Sequence, residues 1–408
     1  MSEIIDFDHV ILGAGPSGLT FAHMLLDAGE TSFIVIEAEE EAGGLCRSAE
    51  VDGAPLDIGG GHFLDVKNTR VTDFLFRFLP EDQWNRYSRI TRIRMGGFDD
   101  IDYPFESHIY QLPEEEQAAA LDSIAKAGCV TGTPEPSRFS DWIRWKLGDR
   151  IAEVYMLPYN RKIWSANLDD LGAYWLHKLP DVSYEQTLQS CREKKPAGTV
   201  PAHEAFLYPR AFGYGEVWRR MGEKLGDRLC LNTKVTSVDV ETRTVNDKFR
   251  GKRIINTIPW PLWWELAALP GDVAEAAGRL HYTSIDVDYV SRNEASDAHW
   301  IYIPDEDVPH HRLLCRNNFI AGARGGWTET NSVRSGPPGE WRHHNAFAYP
   351  LNTIAKPDEI ELVLTWARSQ EIYGLGRWGE WEYMNSDVAV AHALDLAGEL
   401  LSRKLEAP

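Results

Sequence analysis

The hexapeptide Gly13-Ala14-Gly15-Pro16-Ser17-Gly18 constrains this chain more than any other feature. It follows a short apolar run at 9–12 and opens a segment, 17–29, whose apolar residues recur at helical spacing, with Gly29 as a stop. The first glycine permits a tight turn, the second lets the backbone approach a diphosphate, and the third lets helix and strand pack closely. Backbone N–H groups at the helix start then face the phosphates. A second apolar run at 33–36 ends at Glu37, 19 residues after Gly18, where a carboxylate can accept from ribose hydroxyls. A strand–turn–helix–strand opening of this kind builds a parallel sheet. An ordinary Gly-rich turn would not need the flanking strands and the acid. At this point the dinucleotide is NAD or FAD.

The 408 residues exceed what one small core requires, so two or three lobes are expected. The pattern is helical over 114–128 and 140–156, strand-like near 229–240, 253–257, 282–290, 299–303 and 312–320, and helical again in the tail from Ser386, a plausible N-cap. The expected class is α/β, α+β overall. A discontinuous Rossmann-type domain (1–85, 210–270, 365–408) carries an inserted helical domain (105–185) and an antiparallel β-sheet substrate domain (86–104, 186–209, 271–364). Five widely spaced cysteines without a C-x-x-C pair argue against a disulfide framework or a zinc site, and no metal is expected. A formal net charge of −20 argues against nucleic acid and anionic membrane. No apolar run approaches the roughly 18 residues of a membrane span, and the acidic start does not resemble a signal peptide, so a cytoplasmic protein is expected. An anionic ligand must then be held by a few local cations.

Beyond the cradle, Glu37-Ala38 leads into Gly43-Gly44-Leu45-Cys46-Arg47, a second Gly pair with a basic residue suited to another diphosphate edge. A third cluster, Gly59-Gly60-Gly61-His62-Phe63, could lie against an isoalloxazine ring. Here the chain resembles the flavoprotein superfamily of amine oxidases, protoporphyrinogen oxidases and UDP-galactopyranose mutases, which implies FAD. Four ordered segments narrow the resemblance to the UDP-galactopyranose mutase family. They are Tyr159-Asn160-Arg161-Lys162-Ile163-Trp164; Trp300-Ile301-Tyr302-Ile303-Pro304 with Arg312 ten residues after Tyr302; Tyr349-Pro350-Leu351-Asn352; and Gly376-Arg377-Trp378-Gly379 followed by Tyr383 and the last helix.

That resemblance implies roles residue by residue. Asn160 and Trp164 would contact base and sugar, and Tyr302, Arg312, Tyr349 and Tyr383 would hold the diphosphate. Arg377 would lie between flavin and phosphate, with His62 beside the flavin; His62, Arg312 and Arg377 form the catalytic set. FAD would be held by Gly13, Ala14, Gly15, Ser17, Gly18, Glu37, Ala38, Gly44, Leu45, Arg47, Gly60, Gly61, His62, Val235, Arg377, Asp387 and Val388. Taken singly, each aromatic could be core and each Arg a surface ion-pair former; their ordered joint occurrence favours function. The chain departs from the family at Lys178, where an Arg is usual, at His203, where an Asn is usual, at Gly213 and Gly215, at the extra Gly before His62, and at Asn385. Lys178 and His203 are counted as substrate contacts. Lys lacks the guanidinium fork, so the nucleotide and sugar stay open.

The implied activity is an NDP-sugar pyranose–furanose mutase in which reduced FAD is the covalent nucleophile, with no net redox change and NAD(P)H as the expected reductant. The alternative enzyme is an FAD-dependent oxidase or desaturase of the amine oxidase or protoporphyrinogen oxidase type, whose apolar cavity the 15 tryptophans could line. A non-catalytic nucleotide-binding regulator is the alternative outside enzymes. Trp263 and Trp264 suit either a homo-oligomer interface or a core.

Overall fold

The computed structural model describes residues 3–176, 183–197 and 204–406. Strand β1 (Ile5–Leu12) leads through the Gly turn into helix α1 (Pro16–Asp27) and strand β2 (Phe33–Ile36). β1 pairs in parallel with β2 on one side and with Phe249–Asn256 on the other. Its second half, His-Val-Ile-Leu, is fully buried, as expected of a strand covered on both faces. Leu229–Cys230 extends the sheet beyond β2, and Ile372–Gly374 joins Phe249–Asn256 in parallel. The turn after β1 therefore sits between strands that diverge to opposite sides, the crevice where such sheets bind ligands. Gly18 lets α1 close on that turn, because a Cβ there would collide with the Gly13 carbonyl oxygen. The helix ends where Gly29 takes φ +78° and Glu30 N–H donates back to Leu25 O at 2.9 Å.

A hairpin, β3 (Ser48–Val51) and β4 (Ala54–Asp57), follows in antiparallel register. Among the described residues, a second sheet of seven strands runs in the order Arg342–Pro350, Tyr282–Val290, Gly326–Asn331, Arg312–Leu314, Trp300–Tyr302, Thr91–Ile93, Ile101–Asp102. All its pairs are antiparallel except that between Trp300–Tyr302 and Thr91–Ile93. A small third sheet joins Leu64–Asp65, Ala205–Pro209 and Trp84–Ser88, stitching together stretches that the sequence allots to different domains.

Three local expectations need correction. The helix expected over 140–156 breaks at Gly148 (φ +77°) and passes through a π turn at Ala152–Met156 before Leu157–Trp164. The strand expected over 312–320 stops at Leu314, because the chain turns to send the buried Arg316 guanidinium inward. Ser386 does not act as the cap of the last helix: its hydroxyl lies 2.7 Å from that of Tyr214, and Ala389 N–H donates to Asn385 O. Of the tryptophans, Trp218, Trp260, Trp263, Trp327 and Trp381 fill the cores at 0 % exposure rather than line an open cavity, while Trp264 is 61 % exposed. No helix among the described residues is long and apolar enough to cross a membrane.

Candidate active site

The cradle is built from bare backbone. The Gly15 and Gly44 backbones lie face to face, so that a Cβ on Gly44 would stand 3.2 Å from Gly15 Cα. α1 has Pro16 in its first turn and no side-chain cap, which leaves its N-terminus facing that gap. Glu37 is buried at the end of β2, accepting from Ala14 N–H at 2.7 Å and Glu39 N–H at 3.0 Å. Arg47 spans the Gly pair, donating Nε–H to Gly44 O at 3.1 Å and pairing with Glu39 at 3.2 Å. Ala38, Leu45 and Ser17 flank these groups in sequence. A dinucleotide with a diphosphate and a ribose fits this donor set. Val235 is buried in the core on the far face of the sheet. Asp387 lies in the first turn of the last helix, and Val388 is exposed beside it.

The spacing of Tyr302 and Arg312 has a geometric cause. The strands Trp300–Tyr302 and Arg312–Leu314 form an antiparallel pair in which Tyr302 faces Arg312, and Arg312 in turn faces Glu329 on Gly326–Asn331. Three adjacent strands thus present Tyr302, Arg312 and Glu329 in one cross-sheet row. Glu329 is fully buried. Its Oε1 accepts Gly61 N–H at 2.7 Å and its Oε2 accepts Arg312 Nη2–H at 2.5 Å. Burial alone would raise its pKa, but Arg312 and His311 overcome this and hold it down at about 2. Glu329 therefore stays charged, and it ties the second sheet to the Gly60–Gly61–His62 loop.

Sequence reasoning did not single out Glu329. The available signal was alternation: Trp327, Glu329 and Asn331 share one face of a strand, so a Trp turned inward carries the acid inward with it.

His62 stacks parallel to Tyr214 at 6.2 Å and 11°. Burial, followed by the nearby Arg377 charge, lowers its pKa to about 4, so the ring is neutral at pH 7. Arg377 comes from the short helix Gly376–Gly379, and Gly376 (φ +74°) packs against Ser17 of the cradle with no room for a Cβ. The guanidinium donates to Ala348 O at 2.8 Å and to Met384 O at 2.7 and 3.1 Å. It stands over the rings of Tyr349 and Tyr383 at 5.4 and 5.8 Å. Trp164 meets both rings edge-on at 6.0 Å. Arg312 acts electrostatically on Tyr302, Tyr349, Tyr159 and Glu329, and Tyr383 feels both Arg377 and Arg312. Burial raises the Tyr349 and Tyr383 pKa values, which keeps their hydroxyls protonated as donors.

The constellation from distant motifs therefore converges: His62, Arg312, Arg377, Tyr302, Tyr349, Tyr383 and Trp164 surround one region between the cradle and the second sheet. Asn160 and Trp164 are buried and engaged with each other, Trp164 Nε1–H donating to Asn160 Oδ1 at 2.8 Å and Asn160 Nδ2–H to Met156 O at 2.7 Å. Their polar groups are spent internally, so Trp164 offers its ring rather than a hydrogen bond. Lys178 and His203 lie outside the described residues. Two grooves on the helical region, of about 540 and 750 Å³, are lined around Arg144 and contain none of these residues. Among the described residues, no group of His, Cys, Asp and Glu could hold a metal ion.

Comparison with known proteins bears on the fold. A family model for NAD(P)-binding Rossmann-like domains matches residues 11–78. The UDP-galactopyranose mutase of Mycoplasma pneumoniae is 22 % identical over 97 % of this chain and 96 % of its own length. A putrescine oxidase of Kocuria rosea is 50 % identical, but over only 14 % of this chain and 12 % of its own length. A solved structure of reduced UDP-galactopyranose mutase superposes with a TM-score of 0.87 at 22 % identity, covering 98 % of this chain and 94 % of that one. A putative protoporphyrinogen oxidase from Exiguobacterium reaches 0.71 at 16 % identity, covering 99 % and 100 %. The chain thus resembles the UDP-galactopyranose mutases along nearly its whole length and shares their mixed α/β fold.

Proposed function

We propose that this protein is an FAD-dependent isomerase that interconverts the pyranose and furanose forms of a nucleotide-diphosphate sugar. The observation that carries it is the cross-sheet row Tyr302–Arg312–Glu329, tied to the His62 loop and closed by Arg377, Tyr349 and Tyr383. Phenols alone could cage an amine, but two guanidinium groups on one chamber repel a cationic amine and find no partner in an apolar substrate. A diphosphate leaving group needs them in a protein whose net charge is −20.

Reduced FAD, when bound in the Gly13–Gly18 cradle, supplies the nucleophile for the anomeric carbon. The protein residues do the rest. Arg377 and Arg312 stabilise the negative charge that develops on the departing diphosphate. Tyr302, Tyr349 and Tyr383 donate their hydroxyls to its oxygens, and Trp164 closes the aromatic wall against water. His62 is neutral and orients groups by hydrogen bonding without adding charge. The diphosphate remains held near the sugar, so the bond that breaks can re-form. NAD(P)H is the proposed physiological reductant.

The test is to incubate dithionite-reduced holoprotein with a panel of nucleotide sugars and separate the products by chromatography. A new ring isomer that appears only under reducing conditions is expected. Substrate-dependent oxygen consumption by the oxidised protein, or no isomer with any nucleotide sugar, would overturn the proposal.

A further inference from the structure

We infer that Glu329 is a positioning residue that couples occupancy of the diphosphate clamp to the geometry of the loop facing the flavin. The inference rests on the mutase proposal for what arrives at Arg312. One carboxylate does two jobs: Oε1 holds Gly61 N–H at 2.7 Å and Oε2 holds Arg312 at 2.5 Å, with no solvent to replace either partner. The loop is moulded on this group. Gly60 has φ +97°, and a Cβ there would stand 2.6 Å from Oε1. Any displacement of the carboxylate must therefore be felt at Gly60–Gly61, next to His62.

A second seat for the carboxylate is already in place. His311 is fully buried, and neither of its ring nitrogens has a hydrogen-bond partner. Its Nε2 lies 3.6 Å from Oε2 of Glu329, just outside bonding distance. Arg312 is at present neutralised by Glu329, and its Nε–H is buried without an acceptor. A diphosphate arriving at Arg312 competes with Oε2 for the guanidinium. The carboxylate then moves toward His311 Nε2, keeping Oε1 on Gly61, and the flavin-side loop follows. By linkage, a change at the loop alters the diphosphate affinity by the same factor.

The experiment uses the FAD holoenzyme titrated with UDP, reading UDP affinity by calorimetry and the UDP-induced flavin difference spectrum in parallel. Glu329→Gln keeps an acceptor for Gly61 N–H but removes the charge and the acceptor for Arg312. It should bind UDP at least as tightly as the wild type, because the competing charge is gone, while the flavin response falls about fivefold or more. His311→Phe, which removes the second seat, should also lose the response, and His311→Gln, which keeps a donor, should retain most of it. A wild-type flavin response in Glu329→Gln, or loss of affinity and response in equal proportion, overturns the coupling. A wild-type enzyme that isomerises nucleotide sugars while its flavin ignores UDP overturns the coupling alone. One that neither binds UDP nor turns over overturns the mutase proposal as well.

Discussion

The two guanidinium groups of the chamber are not equivalent. Arg312 is compensated by Glu329, whereas Arg377 is bonded to backbone carbonyls and pairs with no carboxylate among the described residues. Under the proposed function, Arg377 therefore supplies most of the net positive charge that would draw in a diphosphate. Arg377→Lys cannot satisfy both carbonyls and still reach the ligand, so UDP affinity measured by calorimetry should fall about tenfold or more, with FAD still bound. Glu106 makes a different prediction. It is buried, and desolvation pushes its pKa up to about 7 from the usual 4.5. The folded state then binds more protons than the unfolded state between those values, so stability falls as pH rises through that window. Glu106→Gln should raise the melting temperature at pH 8 and change it little at pH 4.5. A loss at pH 8 would mean that the ionised carboxylate has a partner worth keeping.

Among elements, the β3–β4 hairpin shows how the cradle is fixed to the second sheet. Arg316, at 0 % exposure, donates to Val51 O, Ala54 O and Pro55 O on the hairpin and to Arg324 O on its own segment. Asp57, at the hairpin's end, accepts from Ser48 Oγ, Tyr208 OH and Tyr214 N–H, immediately before the Gly59–Gly61 run. Arg316→Ala strips the hairpin of these donors and should cost about 3 kcal/mol, seen in denaturant titration, with FAD lost more readily on dialysis. Unchanged FAD retention would show that the hairpin is held without it. Elements of this size were legible where the code is local. The Gly turn, the α1 stop at Gly29 and the Tyr282–Val290 strand follow from period and turn chemistry. The Gly148 break and the Ser386–Tyr214 contact were not, because each depends on a partner far along the chain. Arg316 was hidden for the same reason: from sequence it is one Arg among many, and only the carbonyls it meets make it structural.

At the scale of the whole molecule, the site exists only because distant segments meet. β1 pairs with Phe249–Asn256 across more than two hundred residues, and the His62 loop reaches Glu329 across 268. No local period encodes such pairings, so the chamber's membership was readable only as an ordered set of motifs, while Glu329, which belongs to none of them, was not. The same scale sets a tension in the electrostatics. A net charge of −20 repels an anionic nucleotide at long range, while in the proposed function Arg377 and Arg312 attract it at contact. Salt separates the two. The screening length shrinks from about 30 Å at 0.01 M to about 8 Å at 0.15 M ionic strength, which removes the distant repulsion but leaves a partly buried contact largely intact. The association rate of UDP with the holoenzyme, followed by stopped-flow, should therefore rise between those two salt concentrations, the reverse of ordinary steering by opposite charge. A rate that falls instead would mean that a positive rim around the chamber mouth dominates the approach and that the acidic surface lies on faces the nucleotide never passes.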